Sequence, residues 1–189
     1  ARYKGCNCKA KNQQCKKSDH CECVALGREC DVDLCKCCDN CTNMPISTRQ
    51  HKRVAIGRSS THGWGTFAID AARAGDFVGE YTGELVSHDE ADRRGKIYDK
   101  LACSFLFNLD DQNVVDATRQ GSKMKFANHN AKDPNLAARI SLVNADHRIC
   151  LFARRDINPG DELSFNYSAG FWDAASAESK NAQPLVVKR

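Results

Sequence analysis

Lys125-Phe126-Ala127-Asn128-His129-Asn130, with Pro134-Asn135 just after it, is the stretch on which the fold turns. It sets two side chains rich in hydrogen-bonding groups against a small apolar turn, which is not the pattern of a plain core. Its counterpart lies far along the chain at Glu162-Leu163-Ser164-Phe165-Asn166-Tyr167, a β-like run that ends on a tyrosine flanked by aromatic and amide groups. Upstream, Gly63-Trp64-Gly65 completes an ordered triplet: G-x-G, then N-H-x-x-x-x-P-N, then E-L-x-F-N-Y.

Around the triplet the chain reads as many short β-like segments separated by glycine or polar turns. Val54-Ala55-Ile56, Thr66 to Ile69, Phe77 to Tyr81, Glu84 to Val86, Ser104 to Leu109, Val114-Val115, Arg139 to Val143, Ile149 to Ala153 and Leu163 to Phe165 qualify, and Asn158-Pro159-Gly160-Asp161 is a strong turn. One helix interrupts them, opened by Ser87 with Glu90 three residues on and running towards Gly95. Short strands with few helices predict a mainly β fold of small curved sheets. Gly63 to Ala68 also fits the loose dinucleotide pattern G-x-G-x-x-A, but a Ser/Thr-rich loop precedes it and a β-like run follows, where a strand and a helix are required.

With 41% hydrophobic and 28% charged residues in 189, the chain has room for one medium globular domain and a small one. The twelve cysteines divide it unevenly, ten of them lying between Cys6 and Cys41. Residues 1–44 therefore form a cysteine-rich module, 45–53 a basic linker, 54–170 the body and 171–189 a tail. The formal charge is +4; residues 1–53 carry 11 Lys and Arg against 6 Asp and Glu, so the basic surplus belongs to the head and linker. No apolar leader or bilayer-length run is present, which argues against a membrane partner and weakens a disulfide reading of the cysteines.

Too few apolar residues accompany the head's cysteines for it to fold by burial alone. Disulfides and thiolate-bound zinc compete as cross-links; the C-x-C pairs favour zinc, because sulfurs on neighbouring residues can serve two ions. Three tetrahedral ions need twelve zinc–sulfur bonds, which nine cysteines supply if three of them bridge. Setting aside Cys37 leaves Cys6, Cys8, Cys15, Cys21, Cys23, Cys30, Cys35, Cys38 and Cys41. Separate single-zinc sites are the third arrangement. His20 reads as a loop residue, and Arg49 to Arg53 as a solvated connector that can also meet nucleic acid.

The ordered triplet resembles the signature of SET-domain protein lysine methyltransferases. Arg28-Glu29-Cys30-Asp31-x-Asp33-Leu34-Cys35, Asp89 to Lys96, Cys103 to Leu109 and Val114 to Arg119 resemble the Enhancer-of-zeste branch, across roughly residues 5–167. That resemblance implies a SET fold whose last strand is tucked through an earlier loop, preceded by a CXC zinc module that begins partway in. It implies S-adenosylmethionine and a three-zinc cluster as cofactors, lysine-27 of histone H3 as substrate, accessory Polycomb subunits as partners and a nuclear location, with nucleosomal DNA within reach of the basic head. Tyr167 takes the catalytic position; Gly63, Trp64, Gly65, Ser104, Phe105, Asn128 and His129 join it around the cofactor; Tyr81, Phe107, Ala117 and Phe165 line the lysine channel. Lys125, Leu101, Asn130, Asn166 and Ala169 depart from the commoner residues, and Phe171-Trp172 can cover the site. The alternative is a chromatin-binding zinc module on an inactive SET body.

Overall fold

The computed structural model describes residues 3–15, 20–37, 39–101 and 103–167. The tail 171–189, with Phe171 and Trp172, lies outside the described residues, as do Cys38 and Ala169.

Among the described residues, ten strands and two α-helices carry the body and head. The head holds one short helix, α1 (Glu22–Ala25). β1 (Val54–Arg58), β2 (Trp64–Ala68), β3 (Phe77–Tyr81) and β4 (Glu84–Ser87) come next, followed by α2 (His88–Lys100). β5 (Leu106–Asn108) and β6 (Asn113–Asp116) precede a 3₁₀ turn, Lys123–Phe126, and β7 (Asn128–His129), β8 (Leu136–Val143), β9 (Asp146–Ala153) and β10 (Glu162–Phe165) finish the described chain. The predicted strands are thus present, with Ser104 to Leu109 trimmed to β5.

Two sheets result. The larger runs β1-β2-β10-β8-β9-β3, with β7 also paired to β10, and the smaller runs β4-β6-β5. The last strand is therefore wedged between early and middle segments of the chain: Glu162 and Leu163 pair antiparallel with Phe67 and Thr66, while Ser164 and Phe165 pair parallel with Asn128 and His129. The polar segment N-H is held in register by the segment that ends on Tyr167. Leu163 and Phe165 alternate inward, joining Val78, Ala127, Leu136, Ile149 and Leu151 in the main core.

Ser87 caps α2, its hydroxyl accepting from the Glu90 amide at 3.3 Å. The reciprocal half of the capping box does not form, because the Glu90 carboxylate is taken by Arg93 and Arg94. The helix also passes Gly95 and continues to Lys100, since the buried Tyr98 anchors its second half by donating to Asp116 at 2.8 Å. Asp116, fully buried, accepts from Arg94 as well, so α2 is clamped onto the smaller sheet beside the buried Ala117.

The head docks on the end of β8. Glu29 donates its amide to Leu142 at 3.0 Å, and the Leu142 amide donates back to Gly27 at 3.2 Å. The Glu29 carboxylate is buried and accepts from the Ile46 and Ser47 amides, tying the start of the linker to the same junction.

Candidate functional site

The site grows from the β7–β10 pairing. Tyr167 follows β10 directly; its amide donates to Nδ1 of His129 at 3.1 Å, which leaves the ring proton of that histidine on Nε2. The Tyr167 phenol donates to the carbonyl of Ala127 at 2.8 Å. Two hydrogen bonds therefore fix the tyrosine against the segment preceding and containing His129, and the two rings lie 5.0 Å apart.

Asn128 binds the third part of the triplet. Its amide nitrogen donates to Glu162 Oε1 at 2.8 Å, to the Trp64 carbonyl at 3.2 Å and to the His62 carbonyl at 3.4 Å. Gly63 needs its positive φ of 49° in that loop, and a Cβ on Gly65 would stand 2.5 Å from the Glu162 carboxylate. The loop leaves Trp64 half exposed, under the guanidinium of Arg58.

A chain of aromatic contacts leads away from Tyr167. Phe165 lies 4.6 Å from it, Phe107 lies 5.7 Å from Phe165, and Tyr81 lies 4.9 Å from Phe107, all between ring centroids. Burial pushes the Tyr81 phenol well above its ordinary pKa, so it stays protonated and donates to the Phe105 carbonyl at 2.9 Å. The same carbonyl accepts from the amide of Ala117, which is fully buried. Hence Gly63, Trp64, Gly65, Asn128, His129 and Tyr167 form one contiguous group, and Tyr81, Phe107, Phe165, Phe105 and Ala117 form its continuation. Two cavities, of about 160 Å³ between His51 and Met124 and about 290 Å³ on the head, lie elsewhere and are not lined by Tyr167, Asn128 or His129.

Three contributors are not in the expected set. Glu162 orders Asn128, and the Ala127 carbonyl holds the phenol. Asn135, buried, donates its side-chain amide to the Glu162 carbonyl and accepts from the Ser164 amide, both at 2.8 Å, so its side chain acts as one more rung of the ladder on β10. All three fall inside or beside the quoted motifs, yet nothing in their spacing separates them from solvent-facing residues.

Asn128 spends its amide nitrogen on Glu162, Trp64 and His62, so the group left for an adenosylmethionine-type ligand is on the Phe105 side. The Ser104 hydroxyl is buried with no hydrogen-bond partner among the described residues, and an orphaned polar atom of that kind calls for a ligand or water.

In the head the thiols converge. Four groups of four sulfurs lie within 4.8 Å of one another: Cys6, Cys21, Cys23 and Cys30; Cys6, Cys8, Cys15 and Cys21; Cys6, Cys30, Cys35 and Cys37; and Cys15, Cys30, Cys37 and Cys41. Sulfur separations such as Cys6–Cys30 at 3.8 Å and Cys6–Cys15 at 3.9 Å are too long for a disulfide. They match the edge, about 3.8 Å, of a zinc tetrahedron with bonds of about 2.3 Å. Among the described residues Cys6, Cys15, Cys21, Cys30 and Cys37 recur between groups, as bridging ligands must. Burial raises the Cys35 thiol's pKa, but the Cys6 amide, the Tyr3 hydroxyl and the Asp31 amide outweigh it and bring the value down to about 7, whereas burial pushes the thiols of Cys6, Cys8, Cys15, Cys23, Cys30 and Cys37 up. Cys37, set aside on spacing, has its sulfur 3.9 Å from that of Cys6 and takes part in two groups.

The class follows from fold and site together: the SET domain family matches residues 63–168, more than half of the chain, and the chain belongs to it. Within that family its resemblance is to the Enhancer-of-zeste type. Histone-lysine N-methyltransferase EZA1 of Arabidopsis thaliana is 45% identical over 210 residues, covering 100% of this chain and 24% of that protein. The A. thaliana enzyme CLF is 46% identical over 184 residues, covering 88% and 20%. Among solved structures, the Chaetomium thermophilum polycomb repressive complex 2 aligns with a TM-score of 0.79 at 36% identity, covering 92% of this chain and 25% of that one. A structure of the complex in an autoinhibited conformation bound to S-adenosylmethionine gives 0.75 at 35%, covering 88% and 23%. The chain spans 24% or less of the length of the two relatives named.

Proposed function

We propose that this chain is the catalytic portion of an S-adenosylmethionine-dependent lysine N-methyltransferase that acts on the histone H3 tail at lysine-27. The observation that carries the reading is the meeting of Tyr167 with Ala127 and His129, beside an Asn128 that orders the Gly63–Gly65 loop.

Bound S-adenosylmethionine supplies an electrophilic methyl group on a sulfonium. The chain's own work is placement. Gly63, Trp64 and Gly65, held by Asn128 and Glu162, together with Ser104, Phe105 and His129, shape the cofactor side. Tyr81, Phe107, Ala117 and Phe165 form an apolar wall in which a lysine amine favours its neutral, nucleophilic form. The aromatic faces attract the amine while it is still cationic, and the protonated Tyr81 phenol orients without adding charge. Tyr167, pinned at both its amide and its phenol, sets the line of approach, and alignment of this kind supplies most of the rate.

The head supports the body with a three-zinc cluster, held by cysteines from the set Cys6, Cys8, Cys15, Cys21, Cys23, Cys30, Cys35, Cys37, Cys38 and Cys41. Accessory Polycomb subunits complete the enzyme, nucleosomal DNA meets the basic head and linker, and the protein works in the nucleus in gene silencing. A histone H3 peptide series incubated with the reconstituted complex and labelled methyl donor tests the reading. Label is expected on the peptide bearing lysine-27 and lost when that lysine is replaced by arginine. Cofactor binding with no transfer to any peptide would instead establish the non-catalytic chromatin module.

A further inference from the structure

We propose that Lys125 is a positioning residue for this site: its ammonium straps the channel wall at Ala117 to the turn that delivers Ala127, Asn128 and His129. The inference rests on the methyl-transfer reading above.

Lys125 lies in the 3₁₀ turn Lys123–Phe126, two residues before the carbonyl that holds the Tyr167 phenol. Its Nζ donates to the carbonyls of Ala117 at 2.8 Å and Thr118 at 3.3 Å. It also stands 5.2 Å from the ring centre of Phe105 and 5.3 Å from that of Phe126. Those two rings pack edge-on at 5.5 Å, so one cation holds together the cofactor-side aromatic, the turn and the channel wall.

The corner that it grips has no slack. A Cβ on Gly83 would meet the Asp116 carbonyl at 2.5 Å, and one on Gly121 would meet the Thr82 carbonyl at 2.5 Å and the Ala117 side chain at 2.9 Å. From the other side, Asp116 accepts from Arg94 and, through its second oxygen, from the Thr118 amide. Ala117 and Thr118 are thus held between an anionic anchor on β6 and a cationic one on the 3₁₀ turn. Releasing the cationic anchor lets the wall drift relative to the segment that fixes Tyr167, and a shift of about 1 Å in such an arrangement costs on the order of 100-fold in rate.

The test compares Lys125→Met with Lys125→Arg in the reconstituted complex, with Lys123→Met as control; Lys123 is the exposed lysine of the same turn and donates to the Val54 carbonyl instead. Lys125→Met is expected to lower kcat about tenfold or more with the KM for the methyl donor changed less than about threefold, Lys125→Arg to restore most of it, and Lys123→Met to leave it unchanged. A folded Lys125→Met protein with wild-type kcat overturns the strap, as does equal loss in the Met and Arg variants. In parallel, NMR of ¹⁵N-lysine-labelled wild-type chain is expected to show a slowly exchanging ammonium at Lys125, and a solvent-averaged one overturns the proposal even where Lys125→Met fails to fold. A wild-type complex that binds donor but transfers nothing refutes the proposed function, leaving the NMR result to decide the strap.

Discussion

Replacing Asp116 by asparagine removes a fully buried charge whose partners are all visible. The carboxylate accepts from Arg94 at 2.8 Å, from the Tyr98 hydroxyl at 2.8 Å and from the Thr118 amide at 2.9 Å. Breaking a buried ion pair by removing one partner costs about 3–5 kcal/mol. Here the Arg94 side chain is 22% exposed and keeps Glu84 and Glu90, so roughly half of that, about 2 kcal/mol, is the expected loss. For a chain of this size such a loss lowers Tm by about 4–8 °C. The cost depends on pH. Burial pushes the Asp116 carboxyl up, but Arg94, Thr118 and Tyr98 outweigh it and hold it below its ordinary value. A depressed folded-state pKa means that the stabilisation is complete above the unfolded value of about 3.9 and is lost as pH falls through the folded value. Urea unfolding of both proteins at several pH values is the assay, with equal m-values as the check that the unfolded states match. The two stabilities should differ by about 2 kcal/mol at pH 7 and converge below about pH 4. A difference under about 0.5 kcal/mol at pH 7, or one that persists undiminished to pH 3, refutes the clamp.

Three further outcomes follow. Gly65→Ala drives a methyl group onto the Glu162 carboxylate and breaks its bond to Asn128, so affinity for the methyl donor should fall at least tenfold by calorimetry while the far-ultraviolet spectrum is retained. Metal analysis of the purified chain should return about three zinc ions, and chelation should unfold the head and lower the stability of the body through the Glu29–Leu142 junction; a body whose Tm ignores chelation contradicts that coupling. Cys37→Ser should release zinc more readily than Cys103→Ser, since Cys37 sits in two sulfur groups and Cys103 is exposed and outside them.

Most strands were legible because hydrophobic alternation and turn residues mark them: Phe77 to Tyr81 is recovered end for end as β3, and the turn Asn158 to Asp161 closes on Gly160 with its φ of 94°. Two features were not legible. β7 is two residues long and exists only because β10 lies beside it, a tertiary pairing with no periodicity to read. α2 outruns Gly95 because an interior glycine costs only about 1 kcal/mol, which the Arg94 and Tyr98 contacts to Asp116 offset. The ordered motif marks Asn128, His129 and Tyr167, and the fold brings them together. Of the residues that brace them, Asn135 and Lys125 act through main-chain carbonyls and amides that a sequence does not display, and Glu162 through its carboxylate, which the motif alone does not aim at Asn128. Cys37 enters two sulfur groups for a related reason, since spacing ranks ligands by sequence while the fold ranks them by direction.

Methyl transfer under single-turnover conditions, by the reconstituted complex carrying either wild-type chain or Tyr167→Phe, tests the central claim most directly. The claim is that two distant segments meet around Tyr167 to align donor and amine. Loss of the phenol that donates to Ala127 should slow the chemical step about 100-fold or more while donor affinity changes less than about threefold. Equal single-turnover rates for the two proteins would contradict it.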